Sequence, residues 1–172
     1  MNPNSFHAPW SGILKLSTTL CILLILCCLV LMWISIPASQ TTVKVLSAVV
    51  CGVIILVVAL FAVRGYAIEG NDFVIYRPTR KTCYPISSIV KCWEDPQAMK
   101  GSWRIFGIGG IFVFAGLFRN KTLGSYYAYA TDPQKAVVIK MTDRTIVVTP
   151  DSPSQLINQL NSILSKNSSF KS

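Results

Sequence analysis

Apolar and polar positions divide the chain into three unlike stretches. From Leu16 to Ile36 run 21 residues without a charge, in which Ser17, Thr18, Thr19 and Ser35 are the hydroxyl side chains. At about 1.5 Å of rise per residue, such a run is long enough to cross a bilayer as a helix. A second uncharged run of 19 residues, rich in Val, Leu, Ile and Ala, extends from Val45 to Val63. Between them Pro37-Ala-Ser-Gln-Thr-Thr42 stops one helix and starts the next, so the pattern predicts an antiparallel transmembrane hairpin.

After Arg64 the period changes. Short runs of alternating apolar residues separated by turn residues replace the continuous ones, which is the signature of strands. Tyr66–Glu69 and Asp72–Arg77 flank Gly70-Asn71 as a hairpin. Further runs fall at Thr82–Ile86, Ile89–Trp93, Gly124–Ala130, Ala136–Met141 and Thr145–Thr149, with Thr142-Asp143-Arg144 as the turn between the last two. Counting the stretch around Trp103–Phe118 as one more region, about seven strands are expected.

Ser152, Pro153 and Gln155 then form a helix start, with the serine as N-cap and the proline at the first helical position. Leu156, Ile157, Leu160, Ile163 and Leu164 recur on one face and need a sheet to cover. The expected organisation is an N-terminal tail over 1–12, a hairpin over 13–64 with spans at about 16–36 and 45–63, a folded domain over 65–165, and a disordered tail over 166–172.

Composition sharpens this division. Of 172 residues, 52% are hydrophobic and only 13% charged, half the charged share of an ordinary soluble domain. The net charge of +9 is concentrated after Val63, where the segment from Arg64 carries +7. Positive segments are retained in the cytoplasm, so the domain and both termini are expected there, on a multi-pass protein. A cleaved signal ending near Pro37-Ala38-Ser39 is the competing reading; the length of the run and the lack of Lys or Arg before Lys15 argue against it.

No charge lies within either span, so a transporter's ion pathway is not indicated and the spans read as an anchor. Ala48, Gly52 and Ala59 form a small-residue strip on the second span, for packing on the first span or, alternatively, in a homodimer. Cys21, Cys27, Cys28 and Cys51 fall in the spans, Cys83 and Cys92 outside them, and the single histidine is His7. No ligand spacing for a metal and no Cys-His or Ser-His-Asp set emerges, so neither a metal, a cofactor nor an enzyme activity is expected.

Seven strands and one C-terminal helix are the element order of a pleckstrin-homology-like (PH-like) barrel. Trp103-Arg-Ile-Phe-Gly-Ile-Gly-Gly110, Gly116-Leu-Phe118, Tyr126-Tyr-Ala-Tyr-Ala-Thr131 and Ile146-Val-Val-Thr-Pro-Asp151 resemble the bacterial PH-like family found in small membrane-anchored proteins. The resemblance runs from about Gly65 to Leu164. It implies an α+β membrane protein of the cytoplasmic (inner) membrane, with a two-helix hairpin followed by a seven-stranded β-barrel or sandwich capped by a helix. It also implies an interaction module. Eukaryotic relatives that bind phosphoinositides have a basic first hairpin loop, whereas Glu69-Gly-Asn-Asp72 is acidic here, so that recognition is not carried over.

Two surfaces remain candidates for binding. Arg77, Arg80 and Lys81 form the densest basic cluster, and Arg104, Arg119 and Lys121 flank the uncharged run Ile105–Phe118. Within that run Ile111, Phe112, Val113 and Phe114 are either buried strand or an apolar tip that enters the inner leaflet. Gly107-Ile-Gly-Gly110 lacks the third glycine of a dinucleotide fingerprint and the Lys of a P-loop. With no nucleic-acid motif beside the charge, the expected partners are the bilayer, a docked protein and, alternatively, anionic lipid.

Overall fold

The computed structural model describes residues 5–169, so the outer ends of the expected tails, 1–4 and 170–172, lie outside the described residues. Helix α1 (Gly12–Ser35) starts where the Ser11 side chain accepts a hydrogen bond from the Leu14 N–H at 3.2 Å, and it ends just ahead of Pro37. A single 3-10 turn, Ala38–Gln40, leads into α2 (Thr41–Ala59). Both helices are long and apolar enough to cross a membrane. Leu23, Leu24, Leu31, Ile54 and Leu56 point away from the protein, whereas a helix in a soluble core would bury that face.

The small-residue strip is covered only in part. Ala48 and Ala59 are half-buried, but Gly52 is exposed, and a Cβ there would meet nothing within 4 Å. The helices are joined near their connecting turn, where Lys44 Nζ donates to the Trp33 carbonyl at 2.8 Å and lies over its ring. At the other end the β domain holds α1, burying Leu14 and Thr18.

The domain has two sheets. Strands β1 (Ser5–His7), β2 (Gly65–Glu69), β3 (Asp72–Tyr76) and β4 (Lys81–Pro85) form one antiparallel sheet in that order. The other contains β5 (Ile89–Glu94), β6 (Trp103–Ile111), β7 (Val113–Asn120), β8 (Gly124–Ala130), β9 (Val137–Met141) and β10 (Thr145–Val148). Its spatial order is β5-β9-β10-β8-β7-β6, antiparallel except for β10 beside β8. Ten strands in two sheets replace the expected seven-stranded barrel.

Two features account for the difference. The stretch expected to supply one strand region folds back on itself: β6 and β7 pair directly, and the chain reverses at Phe112, whose φ is 59°. No Asn, Asp or Pro marks that reversal. In addition the segment read as an N-terminal tail contributes β1, which pairs with β2 through Ser5↔Ala67, Phe6↔Tyr66 and His7↔Gly65. Three residues are too few to produce a visible alternation, yet Phe6 is buried in the main core.

Gly65 is what permits that pairing, since a Cβ there would lie 2.6 Å from the Phe6 carbonyl oxygen. Further hydrogen bonds stitch the segment in: the Asp151 N–H donates to His7 O at 2.9 Å and the Ser11 N–H to Thr131 O at 3.2 Å. The chain therefore enters the hairpin and leaves it from the same folded unit.

Helix α3 (Pro153–Ser169) closes the core with Leu156 and Leu160, both fully buried. Its first turn forms where predicted, the Leu156 N–H donating to Ser152 O at 3.2 Å. The helix continues through 166–169, which were expected in the disordered tail, because each residue added to a nucleated helix brings its own backbone hydrogen bond.

A buried polar network locks the sheets together. The Tyr66 hydroxyl donates to Tyr129 O at 2.5 Å and accepts from the Thr149 N–H at 3.1 Å, while Thr149 Oγ1 accepts from the Thr131 N–H at 2.8 Å. Thr131 and Thr149 are fully buried, so these groups would be costly to leave unpaired. Burial pushes the Tyr66 hydroxyl pKa up to about 12.

Candidate functional site

The unusual surface lies at one edge of the larger sheet, on the exposed first half of β6, whose second half packs against α1. Strand β6 is an edge, so one row of its backbone groups has no strand partner. Trp103 and Phe106 on it are 80% and 79% exposed, and Ile105 is exposed too. Isolated apolar residues on a surface need no explanation, but three within four positions of an open edge form a patch.

The sequence gets β6 and β7 close through glycine. Gly107 faces Gly116 across the pair, at φ of 117° and 137°. A Cβ on either would collide with the opposing backbone at Ala115 or Phe106. The glycines of this run thus serve a close strand approach, and no phosphate-cradling loop is formed.

Two cavities lie along this region. The larger, about 720 Å³, is bordered by Trp103 and Ile105 together with Lys100, Arg119 and Lys121. The other, about 360 Å³, lies at the mouth between the sheets, where Phe106, Leu117, Tyr127 and Tyr129 meet Arg77, Arg80 and Phe61. Phe61 follows the end of α2 and, with Val57 and Leu60, borders an adjoining cavity of about 270 Å³ that shares Arg77 and Arg80.

The six cations singled out in the sequence are therefore separated. Arg119 and Lys121 border the larger cavity, Arg77 and Arg80 the one at the mouth. Arg104 lies on the opposite side of β6, its side chain running near Gly109 and the Phe118 ring. Lys81 is engaged elsewhere, 3.6 Å from Glu69 and over the Tyr76 ring. The only other ion pair among the described residues joins Arg144 to Asp143 at 2.6 Å.

Arg77 has an unusual setting. Its guanidinium lies 4.7 Å from the centre of the Tyr129 ring, and its Nε is buried without a hydrogen-bond partner. Burial pushes its pKa below the ordinary arginine value, with the neighbouring Arg80 acting in the same direction. Tyr84 donates to or accepts from Tyr129 at 2.9 Å beneath it, and its own pKa is raised by burial and by that hydroxyl.

The expected apolar tip is folded against the helices. Val113 is fully buried in the main core, and Ile111, Phe112 and Phe114 are half-buried. Phe112 packs edge-on against Trp10 with ring centres 5.9 Å apart, and its N–H donates to Thr18 Oγ1 at 3.0 Å. The Ser17 hydroxyl donates to the Gly110 carbonyl. These residues, expected either as buried strand or as a tip in the inner leaflet, form a joint between the start of α1 and the sheet.

Phe61, Lys100, Phe106, Tyr127 and Tyr129 were not singled out in the sequence. Their grouping depends on register, which sets Leu117 opposite both Phe106 and Tyr127, and no local motif signals it. Among the described residues no cluster of His, Cys, Asp or Glu is arranged to hold a metal. All six cysteines are free, with Cys83 and Cys92 in different sheets.

Comparison with known families agrees with this architecture. The family described as the bacterial PH domain matches residues 64–164, from the end of the hairpin through the apolar face of α3. No curated protein and no solved structure matches the chain. The match spans more than half of the sequence and contains both sheets except β1, and on it the chain belongs to the bacterial PH domain family.

Proposed function

We propose that this protein is a non-catalytic binding module, anchored by α1 and α2 as a two-pass hairpin with the PH-like domain and both termini in the cytoplasm, and that the domain docks a protein partner at the membrane. The anchor reading rests on apolar side chains that face outward along both helices. The sidedness rests on the excess of Lys and Arg after Val63. A reporter fused after Ser172 and found outside the cytoplasm would refute it.

The observation that carries the docking reading is the β6 edge, with Trp103 and Ile105 exposed beside Lys100, Arg119 and Lys121 and with Phe106 exposed next to them along the strand. An extended acidic segment that adds to this edge would pair its backbone with β6 and set carboxylates against the cations. A photo-cross-linker at Trp103, in membranes holding the full chain, is expected to give a discrete adduct that weakens when Arg119 and Lys121 are changed to Glu. An adduct indifferent to those two charges would count against this partner chemistry.

A second reading, direct contact between the domain and anionic lipid, is favoured by one observation. Arg77 and Arg80 border the last turn of α2 and have no carboxylate partner among the described residues. The strip Ala48, Gly52 and Ala59 stays available for a homodimer, which cross-linking of the hairpin would detect.

A further inference from the structure

We infer that the cavity at the mouth between the sheets, where Arg77 and Arg80 meet Phe61 and Phe106, is a binding site for the phosphate headgroup of an anionic phospholipid. This deepens the lipid reading above and assigns it to one site, away from the first hairpin turn and from the β6–β7 tip.

The chemistry of the walls points to an amphiphile with a phosphate. Arg77 and Arg80 are held side by side by the loop between β3 and β4, where the Arg77 N–H donates to Arg80 O at 3.1 Å. Two adjacent cations repel unless an anion lies between them, and a guanidinium presents the fork that matches a phosphate's oxygens. Arg77 lies with its guanidinium over the Tyr129 ring, and its Nε is buried without a partner.

The same arginines border a cavity whose remaining wall is Val57, Leu60 and Phe61. Val57 lies within the last turn of α2, which ends at Ala59. If α2 spans the bilayer, this places the two cations at the level of the lipid phosphates, where basic side chains attract anionic lipid. A soluble anion would use the arginines but gain nothing from Phe61, Leu60 and Val57, whereas an acyl chain would lie along them.

The test uses the full chain reconstituted in phosphatidylcholine bilayers containing spin-labelled phosphatidylglycerol or spin-labelled phosphatidylcholine. The immobilised fraction of each label gives the relative association of the two lipids. The wild-type chain is expected to prefer phosphatidylglycerol, and each change, Arg77→Gln or Arg80→Gln, to lower that preference roughly five-fold. Arg80 is exposed, so Arg80→Gln keeps the test valid if Arg77→Gln fails to fold.

Preference retained in both variants but lost in Arg119→Gln/Lys121→Gln would overturn the site while leaving lipid binding standing. No preference in the wild-type chain would remove the lipid reading altogether. Loss of the preference on adding inorganic phosphate, but not chloride at equal ionic strength, would identify a free phosphate as the ligand and overturn the assignment to lipid.

Discussion

The interior and one edge of the six-stranded sheet both carry large apolar residues and meet different fates. In β9 and β10 the side chains of Val137, Val138, Ile139, Ile146, Val147 and Val148 are all fully buried. In β6, at the far edge, Trp103, Ile105 and Phe106 are left open. Hydrophobicity does not distinguish them. What differs is cover: β9 and β10 have neighbours on both sides and a layer on both faces, with the main core on one and a second cluster around Tyr126 and Ala128 on the other. Strand β6 has one strand neighbour, and while its second half, 108–111, is half-buried against α1 and the core, its first half, 103–107, is exposed. The buried core is concentrated in the covered strands, and the exposed apolar residues at the β6 edge.

The sharpest way to break this comparison is truncation in the covered half. Ile146→Ala is expected to cost about 2–5 kcal/mol, the usual range for emptying a fully buried site, read as a lower denaturation midpoint. A loss below about 1 kcal/mol would mean that the two halves are not energetically distinct.

The buried Tyr66 supplies the next largest effect. Tyr66→Phe leaves the Tyr129 carbonyl and the Thr149 N–H unpaired, at a cost of about 1–3 kcal/mol. The hydroxyl also makes stability pH-dependent. In the unfolded chain it ionises near 10, whereas in the folded one it does so near 12. The unfolded state therefore loses its proton first, and the native state weakens as pH rises from about 10 to about 12, by on the order of 2–3 kcal/mol from this group. Alkaline denaturation of wild type against Tyr66→Phe checks the sign, since the variant lacks this component of the slope.

In the open half, backbone rather than side-chain cover sets the cost. Gly107→Ala or Gly116→Ala is expected to destabilise by at least about 1 kcal/mol, because both positions have positive φ and no room for a Cβ. The smallest effect on stability is expected from Phe106→Ser, within about 0.5 kcal/mol, as for surface positions in general. The same change should reduce cross-linking from Trp103. A large loss of stability instead would place Phe106 in the core and remove it from the proposed docking surface.

Much of the architecture was legible along the chain because its causes are local. A strand or helix announces itself by the spacing of apolar side chains, as in Leu156, Ile157 and Leu160 on α3, and the Ser152-Pro153 start is a backbone property of those residues. The site was legible in part. Its basic residues were visible as charges, but their grouping was not, since Arg104 and Lys81 look equivalent to Arg77 and Arg119 until register assigns them to different faces. The reversal at Phe112 had no polar turn residue to mark it, and β1 was too short to show a period.

Legible along the chain were two long uncharged runs, the change to a β domain at Arg64, the terminal helix, and the resemblance to the bacterial PH-like family. These follow from composition and period over windows of a few residues. Long-range packing set the rest: β1 closes onto β2, there are two sheets with β6 at an edge, and Arg77 and Arg80 border the last turn of α2. These depend on which distant segments find each other, through contacts such as Phe6 against Gly65 and Thr18 against Phe112, for which no local pattern exists to be read.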